Sequence, residues 1–370
     1  MHLYLHIPFC KQACHYCDFH FSTNTTQKTR MVQAITKEIL LQKEYLKNKE
    51  LSSVYFGGGT PSLLNTAEIE ILFKSIQSVF SIHKNAEITL EANPDDITFQ
   101  RLLDWKAAGI NRLSIGIQSF DENQLKFLNR AHNAEESEQC LKDALKAGFE
   151  DFSLDLIYAI PSDSNDLWRL SLNKALSFET NHLSAYCLTI EDKTVFGNRL
   201  SKQQMRPIDE ELASDQFTIL LEETTRNGFE QYEISNFARN QHYAKHNSSY
   251  WQGEPYLGVG PSAHSYDGQN RQWNISNNSL YLKSIEKELV PFEIETLSEK
   301  DRANELIMTG LRTMWGVDTQ KINHLINQEF KARSQQFIHD GLLLKENTIL
   351  KLTNKGKLQA DRIASELFFT

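Results

Sequence analysis

Three of the five cysteines in this 370-residue chain lie close together near its start, at Cys10, Cys14 and Cys17. The spacing C-x3-C-x2-C places three thiolates on one short loop, and thiolates are soft ligands for zinc or for the iron of an iron–sulfur cluster. A closed zinc site needs a fourth ligand, which one of three nearby histidines could supply: His6, His15 or His20. A four-iron cluster held by three thiolates would instead keep one iron open for a small chelating ligand. The pattern predicts a metal centre of one of these two kinds.

The composition favours a reducing compartment and argues against several classes of protein. The formal net charge is -9, so sequence-independent attraction to nucleic-acid phosphates is not expected. The chain has no run of roughly 18 apolar residues that would form a transmembrane helix, and its start lacks the pattern of a secretory signal. We therefore expect a cytoplasmic protein, in which clustered cysteines bind metal or do redox chemistry rather than form disulfides. The two isolated cysteines, Cys140 and Cys187, are interpreted as small buried residues.

The segments that must position the cysteines alternate between short apolar runs and longer amphipathic runs. The predicted strands cover residues 3–7, 53–56, 87–92, 112–117, 152–158 and 183–190. The predicted helices cover residues 27–47, 66–80, 99–108, 134–147, 165–178 and 210–227. Strands and helices that alternate in this way are typical of parallel βαβ units. The sequence therefore predicts an α/β fold with six such units before residue 230.

Two later regions differ in pattern from the first. Residues 236–278 are rich in Asn, His, Tyr and Gly and have little periodicity, which predicts loop structure. Further on we expect helices over 300–314 and 318–327 and a hairpin over 341–352, an order typical of a winged-helix-like unit. Basic residues barely outnumber acidic residues in this last region, so nucleic-acid binding is not expected there either.

Five short motifs follow the predicted strands in chain order. They are YFGGGTPSL at 55–63, LEANP at 90–94, LSIGIQSF at 113–120, NRAH at 129–132 and DLIYAIP at 155–161. Each lies at the carboxyl end of a predicted strand or in its loop, where (β/α) barrels place their sites. Together with the cysteine loop, these motifs resemble the radical S-adenosylmethionine (SAM) superfamily and, within it, the HemN-like family of oxygen-independent coproporphyrinogen III oxidases.

The resemblance implies an incomplete (β/α)6 radical SAM barrel with a small C-terminal winged-helix-like α+β domain. In that superfamily the open iron of a 4Fe-4S cluster binds the amino and carboxylate groups of SAM, and one electron then cleaves a carbon–sulfur bond. The resemblance assigns the cluster to Cys10, Cys14 and Cys17. It assigns eight other residues to the SAM site: Tyr4, Gly58, Gly59, Thr60, Glu91, Gln118, Arg130 and Asp155. Tyr16, between two of the cysteines, would cover the adenine or simply pack.

Differences from the oxidases point to another branch of the family. The oxidases carry a fourth cysteine where this chain has Phe19, and they have an extension before the first cysteine for which Cys10 leaves no room. The segment KHNSSYW at residues 245–251 instead resembles the H-N-x-x-Y-W motif of HemW-type heme chaperones. The sequence therefore favours the chaperone branch over the oxidases.

By the same resemblance, the motif would bind heme. His246 would be an axial ligand of the iron, and Tyr250 and Trp251 would cover the flat faces of the macrocycle. The alternative is a surface loop with an aromatic anchor, in which His246 only hydrogen-bonds. His264, in the nearby segment GVGPSAHS, is a second candidate ligand or a wall of the SAM site.

The resemblance implies a heme chaperone that binds heme and delivers it to apo-hemoproteins such as respiratory oxidases or reductases. The composition is compatible with transient association of this protein with membranes. Two alternatives stay open: an oxygen-independent coproporphyrinogen III oxidase and a structural zinc protein. We expect a barrel domain over residues 1–235, an irregular connecting region over 236–296 and a C-terminal domain over 297–370. Because the cysteines and the H-N-x-x-Y-W motif are far apart in the sequence, we also expect separate cluster and heme sites.

Overall fold

The structure is a computed structural model that describes residues 1–161 and 164–370. Six strands lie side by side in chain order and are parallel throughout: β1 (His2–Ile7), β2 (Glu50–Gly58), β3 (Ser81–Ala92), β4 (Arg112–Gln118), β5 (Phe152–Tyr158) and β6 (His182–Cys187). Both faces of these strands are largely buried, as is usual for a parallel sheet covered by helices. The expected incomplete (β/α)6 barrel is confirmed.

All six predicted helices are present, but the first ends at Leu41 instead of residue 47, and two short helices, Glu122–Phe127 and Val195–Ser201, were not predicted. The helices are α1 (Lys28–Leu41), α2 (Thr66–Val79), α3 (Phe99–Ala108), α4 (Glu122–Phe127), α5 (Ala134–Lys146), α6 (Asn165–Leu176), α7 (Val195–Ser201) and α8 (Glu210–Arg226). Two of them start at a capping box, in which Asn65 and Asn133 accept the backbone N–H three residues later. The sequence signals that start these helices are therefore local.

Residues 236–278 are not the loop that their composition predicts. After β7 (Glu230–Glu233) they carry β8 (Asn236–Ala238), α9 (Lys245–Trp251), β9 (Tyr256–Val259), β10 (His264–Tyr266) and β11 (Asn270–Asn274), and then come α10 (Asn278–Glu286) and β12 (Phe292–Thr296). β9 pairs in parallel with β1, and β10 to β12 extend the sheet as antiparallel strands. Strands of three to five residues are too short to show a period, and they are held by pairing with the edge of the barrel.

The C-terminal region has a hydrophobic core and a three-stranded antiparallel sheet of its own. Its elements are α11 (Glu299–Leu311), β13 (Val317–Asp318), α12 (Gln328–His339), β14 (Leu343–Glu346), β15 (Ile349–Leu352), α13 (Asn354–Lys357) and α14 (Ala360–Glu366). The expected hairpin is confirmed, but the helix expected at 318–327 is wrong. The helix begins at Gln328, because Asn327 accepts the backbone N–H of Phe330 as its N-cap.

The two isolated cysteines differ from each other in exposure. Cys140 is buried in α5 as expected, whereas Cys187 is exposed, so the expectation of burial was wrong there. Cys187 is the last residue of β6, where the strand leaves the covered part of the sheet. In the part of the chain that the structure describes, no helix has the length and apolar character needed to cross a membrane.

Candidate functional site

The cysteine loop connects β1 to α1 and is closed at its base by backbone contacts. Phe9 bridges to Ser22, and the backbone N–H of Cys10 donates to the Ser22 carbonyl at 3.1 Å. Within the loop, the N–H of Cys17 donates to the Cys14 carbonyl at 3.3 Å, which forms a turn between two of the thiols. All three thiols are half-buried. Local backbone geometry thus holds the three sulfur atoms at one end of the barrel.

Burial keeps two of these thiols protonated in the free protein. It raises the pKa of Cys10 to about 11 and the pKa of Cys17 to about 12. Metal binding to them must therefore release protons. Among the described residues, no group of three or more His, Cys, Asp or Glu side chains is arranged so that it could hold a metal ion, and ligation by the three cysteines stays a prediction. The donor set itself fits a cluster, since it offers three adjacent soft sulfurs and a guanidinium that donates to one of them.

That guanidinium belongs to Arg130, which joins the cysteine loop to the barrel. One terminal nitrogen donates to the Cys14 sulfur and to the Tyr16 hydroxyl, both at 3.3 Å. The other donates to Asn93 Oδ1 at 2.6 Å and to the Gly116 carbonyl at 2.8 Å. Arg130 Nε is buried and has no partner among the described residues, so one charge-assisted donor is available to a carboxylate.

Asn93 is a site residue that sequence reasoning did not assign, although it lies within the LEANP motif. Its amide accepts from Arg130 and donates to the Thr60 hydroxyl oxygen at 3.2 Å. The backbone N–H of Thr60 in turn donates to the Phe9 carbonyl at 2.7 Å. The amide therefore connects three segments that meet at the mouth of the barrel.

The glycine-rich segment after β2 lies against the same mouth. Gly58 has a φ of +106°, and a Cβ there would lie 2.7 Å from the His6 ring. A Cβ on Gly59 would lie 2.7 Å from the Phe9 carbonyl oxygen. Only glycine fits at either position. These two residues let the β2 backbone approach the end of β1 without a side chain in between.

Glu91, at the end of β3, accepts two hydrogen bonds from the β2 side. The Tyr55 hydroxyl donates at 2.8 Å and the Gly58 N–H at 3.1 Å. Burial raises the pKa of the Glu91 carboxyl to about 7, and the nearby Asp155 carboxylate contributes to this rise. Glu91 is consequently a carboxyl group that can change charge near neutral pH.

The remaining predicted SAM-site residues lie on strands of the same barrel or, in the case of Tyr16, in the cysteine loop. Gln118 ends β4 in the left-handed region, with a φ of 64°, which is rare for a side chain of its type. Asp155 accepts from the hydroxyls of Ser114 and Ser153, at 2.8 and 3.0 Å, and burial raises its pKa. The Tyr16 hydroxyl accepts a hydrogen bond from Arg130 at 3.3 Å, a contact compatible with both alternatives, covering the adenine or packing. No ligand contact of these residues is tested, so their assignment to SAM stays a prediction.

The H-N-x-x-Y-W motif forms helix α9, and its histidine is saturated with hydrogen bonds. His246 is 1% exposed, its Nδ1 lies 2.6 Å from Ser53 Oγ, and its Nε2 lies 2.8 Å from the Tyr250 hydroxyl. Its ring stacks on Tyr55 with centroids 4.9 Å apart. Iron ligation by either nitrogen would break one of these bonds, so the geometry matches the hydrogen-bonding alternative for His246.

A chain of hydrogen bonds continues from His246 to the surface. Ser53 Oγ lies 2.8 Å from His2 Nδ1, and His2 Nε2 lies 2.7 Å from a carboxylate oxygen of Glu254. The chain thus runs from Glu254 through His2, Ser53 and His246 to Tyr250. Sequence reasoning missed His2 and Ser53, because nothing in their own neighbourhood marks them.

A cavity of about 860 Å³ lies between the cysteine loop, the added strands and α11. Tyr250 and Trp251 line it from α9, Phe19 and His20 line it from the cysteine loop, and His264 lines it from β10. Phe19 is 67% exposed, so an apolar ring is open where the oxidases have a fourth cysteine. The motif and the cysteine loop both contribute to this cavity, but Cys10, Cys14 and Cys17 are not among its lining residues, so the expectation of separate cluster and heme sites stays a prediction.

Comparison with known proteins gives consistent results over the whole chain. The profile of the Radical SAM superfamily matches residues 4–172, and that of the HemN C-terminal domain matches residues 297–358. The heme chaperone HemW of Bacillus subtilis is 31% identical over 367 residues, which are 97% of this chain and 97% of that protein. The heme chaperone HemW of Escherichia coli K12 is 37% identical over 264 residues, 71% of this chain and 69% of that protein.

Among solved structures, coproporphyrinogen III oxidase (HemN) from Escherichia coli is similar to this chain over nearly its full length. The TM-score is 0.85 and the sequence identity 22%, with 99% of this chain and 89% of that chain covered. At this level of identity, the likeness shows a shared fold and nothing about the reaction. The barrel and the small C-terminal domain with an antiparallel sheet are features of that fold.

Proposed function

Because the chain belongs to the HemW family within the radical SAM superfamily, we propose that it binds heme and delivers it to apo-hemoproteins such as respiratory oxidases or reductases. One observation carries the proposal: both aromatic rings of the H-N-x-x-Y-W motif lie on the wall of the 860 Å³ cavity. This volume is in the range of pockets that enclose small organic ligands. Aromatic side chains there provide the apolar cover that the faces of a porphyrin need. The clustered free thiols favour a reducing compartment, and we propose the cytoplasm.

The proposal includes a 4Fe-4S cluster on Cys10, Cys14 and Cys17, and SAM at the open iron. When bound, the cluster would supply single electrons to SAM. The protein contributes fixed donors and acceptors around it. Arg130 offers its unpaired Nε–H to a carboxylate, and Glu91 offers acceptor oxygens to an amine.

Six further residues complete the proposed SAM site: Tyr4, Gly58, Gly59, Thr60, Gln118 and Asp155. Asp155 would accept from ribose hydroxyls. The two glycines keep side chains away from the ligand, since a Cβ at either position would collide with β1 or its loop. Tyr16 is proposed to cover the adenine while Arg130 holds its hydroxyl.

Heme binding is tested by titrating the purified protein with hemin and following the Soret band. We expect saturable one-to-one binding that weakens about tenfold in Trp251→Ala, because an aromatic contact and its buried area are lost. Trp315→Ala is the matched control, since Trp315 is also half-buried but packs on Tyr232 and Tyr243. Equal weakening in both variants, or no saturable binding by the natural protein, would contradict the proposed function.

The raised pKa of Glu91 predicts how SAM binding depends on pH. Only the carboxylate attracts the amino group of SAM, so this attraction is present above pH 7 and is lost as the pH falls through about 7. We expect SAM affinity to fall by up to about tenfold per pH unit below 7. Equilibrium dialysis of anaerobically reconstituted protein between pH 5.5 and 8 measures it. Glu91→Gln is expected to bind more weakly with a flat profile, and an unchanged slope in this variant would rule Glu91 out as the cause.

A further inference from the structure

The cavity wall formed by β9, β10 and β11 exposes a histidine whose ring has no hydrogen-bonding partner among the residues that the structure describes. On β10, His264 and Tyr266 are two residues apart and therefore point to the same face of the sheet. They pair with Trp273 and Arg271 on β11, which share that face. His264, Tyr266 and Arg271 all line the cavity. One face of this small sheet thus offers the cavity an imidazole, a phenol and a guanidinium.

The other histidines around the cavity are already engaged. His6 Nε2 lies 2.9 Å from the His20 carbonyl oxygen and its Nδ1 lies 3.2 Å from the Tyr4 hydroxyl. His20 Nε2 lies 2.7 Å from Asn278 Oδ1, and His324 Nε2 lies 2.7 Å from Glu299 Oε1. In the described part of the chain, His264 alone of these four has no hydrogen bond from either ring nitrogen.

We propose that His264 is the axial ligand of the heme iron, and that His246 is a positioning residue that holds Tyr250 against the macrocycle. The inference rests on the proposed function and specifies where in the cavity the heme iron binds. A free neutral imidazole is a common iron ligand of heme proteins. His246 instead uses both nitrogens inside the protein, and Nε2 fixes the Tyr250 hydroxyl at 2.8 Å.

The surroundings of His264 suit the rest of a carboxylated macrocycle. Its ring is stacked near Trp273, with centroids 6.2 Å apart, which limits its rotation. Arg271 lines the cavity and pairs with Glu305 at 2.8 Å, while Arg302 lines it from α11. Guanidinium groups bind carboxylates through paired hydrogen bonds. These two arginines are the proposed partners of the heme carboxylates.

Iron ligation can be separated from packing by comparing two probes, hemin and metal-free protoporphyrin IX. Ligation adds affinity only for the porphyrin that carries iron. We expect His264→Ala to weaken hemin binding by at least about tenfold, as loss of a metal-ligand interaction does, and to leave protoporphyrin IX binding nearly unchanged. Added imidazole is expected to restore hemin affinity and the spectrum of the natural protein. His242→Ala, an exposed histidine outside the cavity, is the control.

The His246 variant gives the second half of the test. His246→Ala is expected to weaken hemin and protoporphyrin IX binding by similar factors and to keep the axial-ligand signature in the electron paramagnetic resonance spectrum. Unchanged hemin affinity in His264→Ala would overturn the assignment while leaving heme binding itself intact. The assignment would also be overturned if His246→Ala or His20→Ala removed the extra affinity for hemin over protoporphyrin IX. If the natural protein binds neither probe, the proposed function fails together with the inference.

Discussion

Replacing Cys10, Cys14 and Cys17 together by serine is expected to abolish the visible absorption of the cluster and to remove the roughly four irons per chain expected after anaerobic reconstitution. Serine oxygen is a poor ligand for soft iron. Among the described residues, no other group of three or more His, Cys, Asp or Glu side chains could hold a metal in place of the cysteines. Iron and sulfide analysis on one anaerobic sample measures the effect. This is the largest change that we expect from any variant, because the whole local ligand set is lost.

The control for this variant is Cys187→Ser, which changes an exposed thiol elsewhere in the barrel. It is expected to keep the full iron content. Stoichiometric zinc without sulfide in the natural protein would contradict the cluster and favour the structural zinc alternative. Hemin titration of the triple variant adds a second readout. Because the cysteine loop lines the cavity through Phe19 and His20, we expect weakened rather than intact heme binding.

Glu38→Ala is expected to lower the free energy of unfolding by about 3–5 kcal/mol, because roughly 1–3 kcal/mol is lost for each buried donor left without an acceptor. Glu38 is fully buried in α1. It accepts from the Gly260 N–H at 2.7 Å, from Asn274 Nδ2 at 2.6 Å and from the Tyr281 hydroxyl. Gly260 directly follows β9, Asn274 ends β11 and Tyr281 lies in α10, so all three partners belong to the region added beside β1. Denaturant unfolding followed by circular dichroism measures the change.

Glu70→Ala, on the exposed face of α2, is the matched control and is expected to change stability little. The loss in Glu38→Ala is also expected to loosen the segment that holds His264, since Gly260 lies between β9 and β10. Hydrogen exchange of residues 256–274 is therefore expected to rise more than that of β1 to β6. Exchange that rises equally throughout the barrel would show that Glu38 supports the whole fold rather than the added strands.

The sequence was sufficient for the barrel because its signals are local. Strands such as β5 and helices such as α3 begin and end where the pattern predicts, since apolar periodicity and N-caps lie within each segment. The prediction of a helix at 318–327 is wrong, and the cause is also a local signal. An N-cap asparagine at Asn327 starts the helix one residue later than the expected helix ends, and it was not recognised.

The proximity of the three thiols could also be read from the sequence, because thiols within one short loop must lie near each other wherever the loop goes, whereas their ligation of a metal stays a prediction. The hydrogen-bonding partners of His246 could not be predicted from the sequence. Nε2 contacts Tyr250 within α9, but the partner of Nδ1, Ser53, is 193 residues away and is reached only because α9 packs on β2.

The tertiary structure alone decides where the cavity lies and what faces it. Phe19 is more than two hundred residues away from Trp251 and His264, which themselves lie on different elements, α9 and β10. Short strands with no readable period bring the three side chains to one cavity. Chain-local signals fix which residues form helices and strands. Which side chains share a cavity depends instead on how those elements pack, and packing is a property of the whole fold.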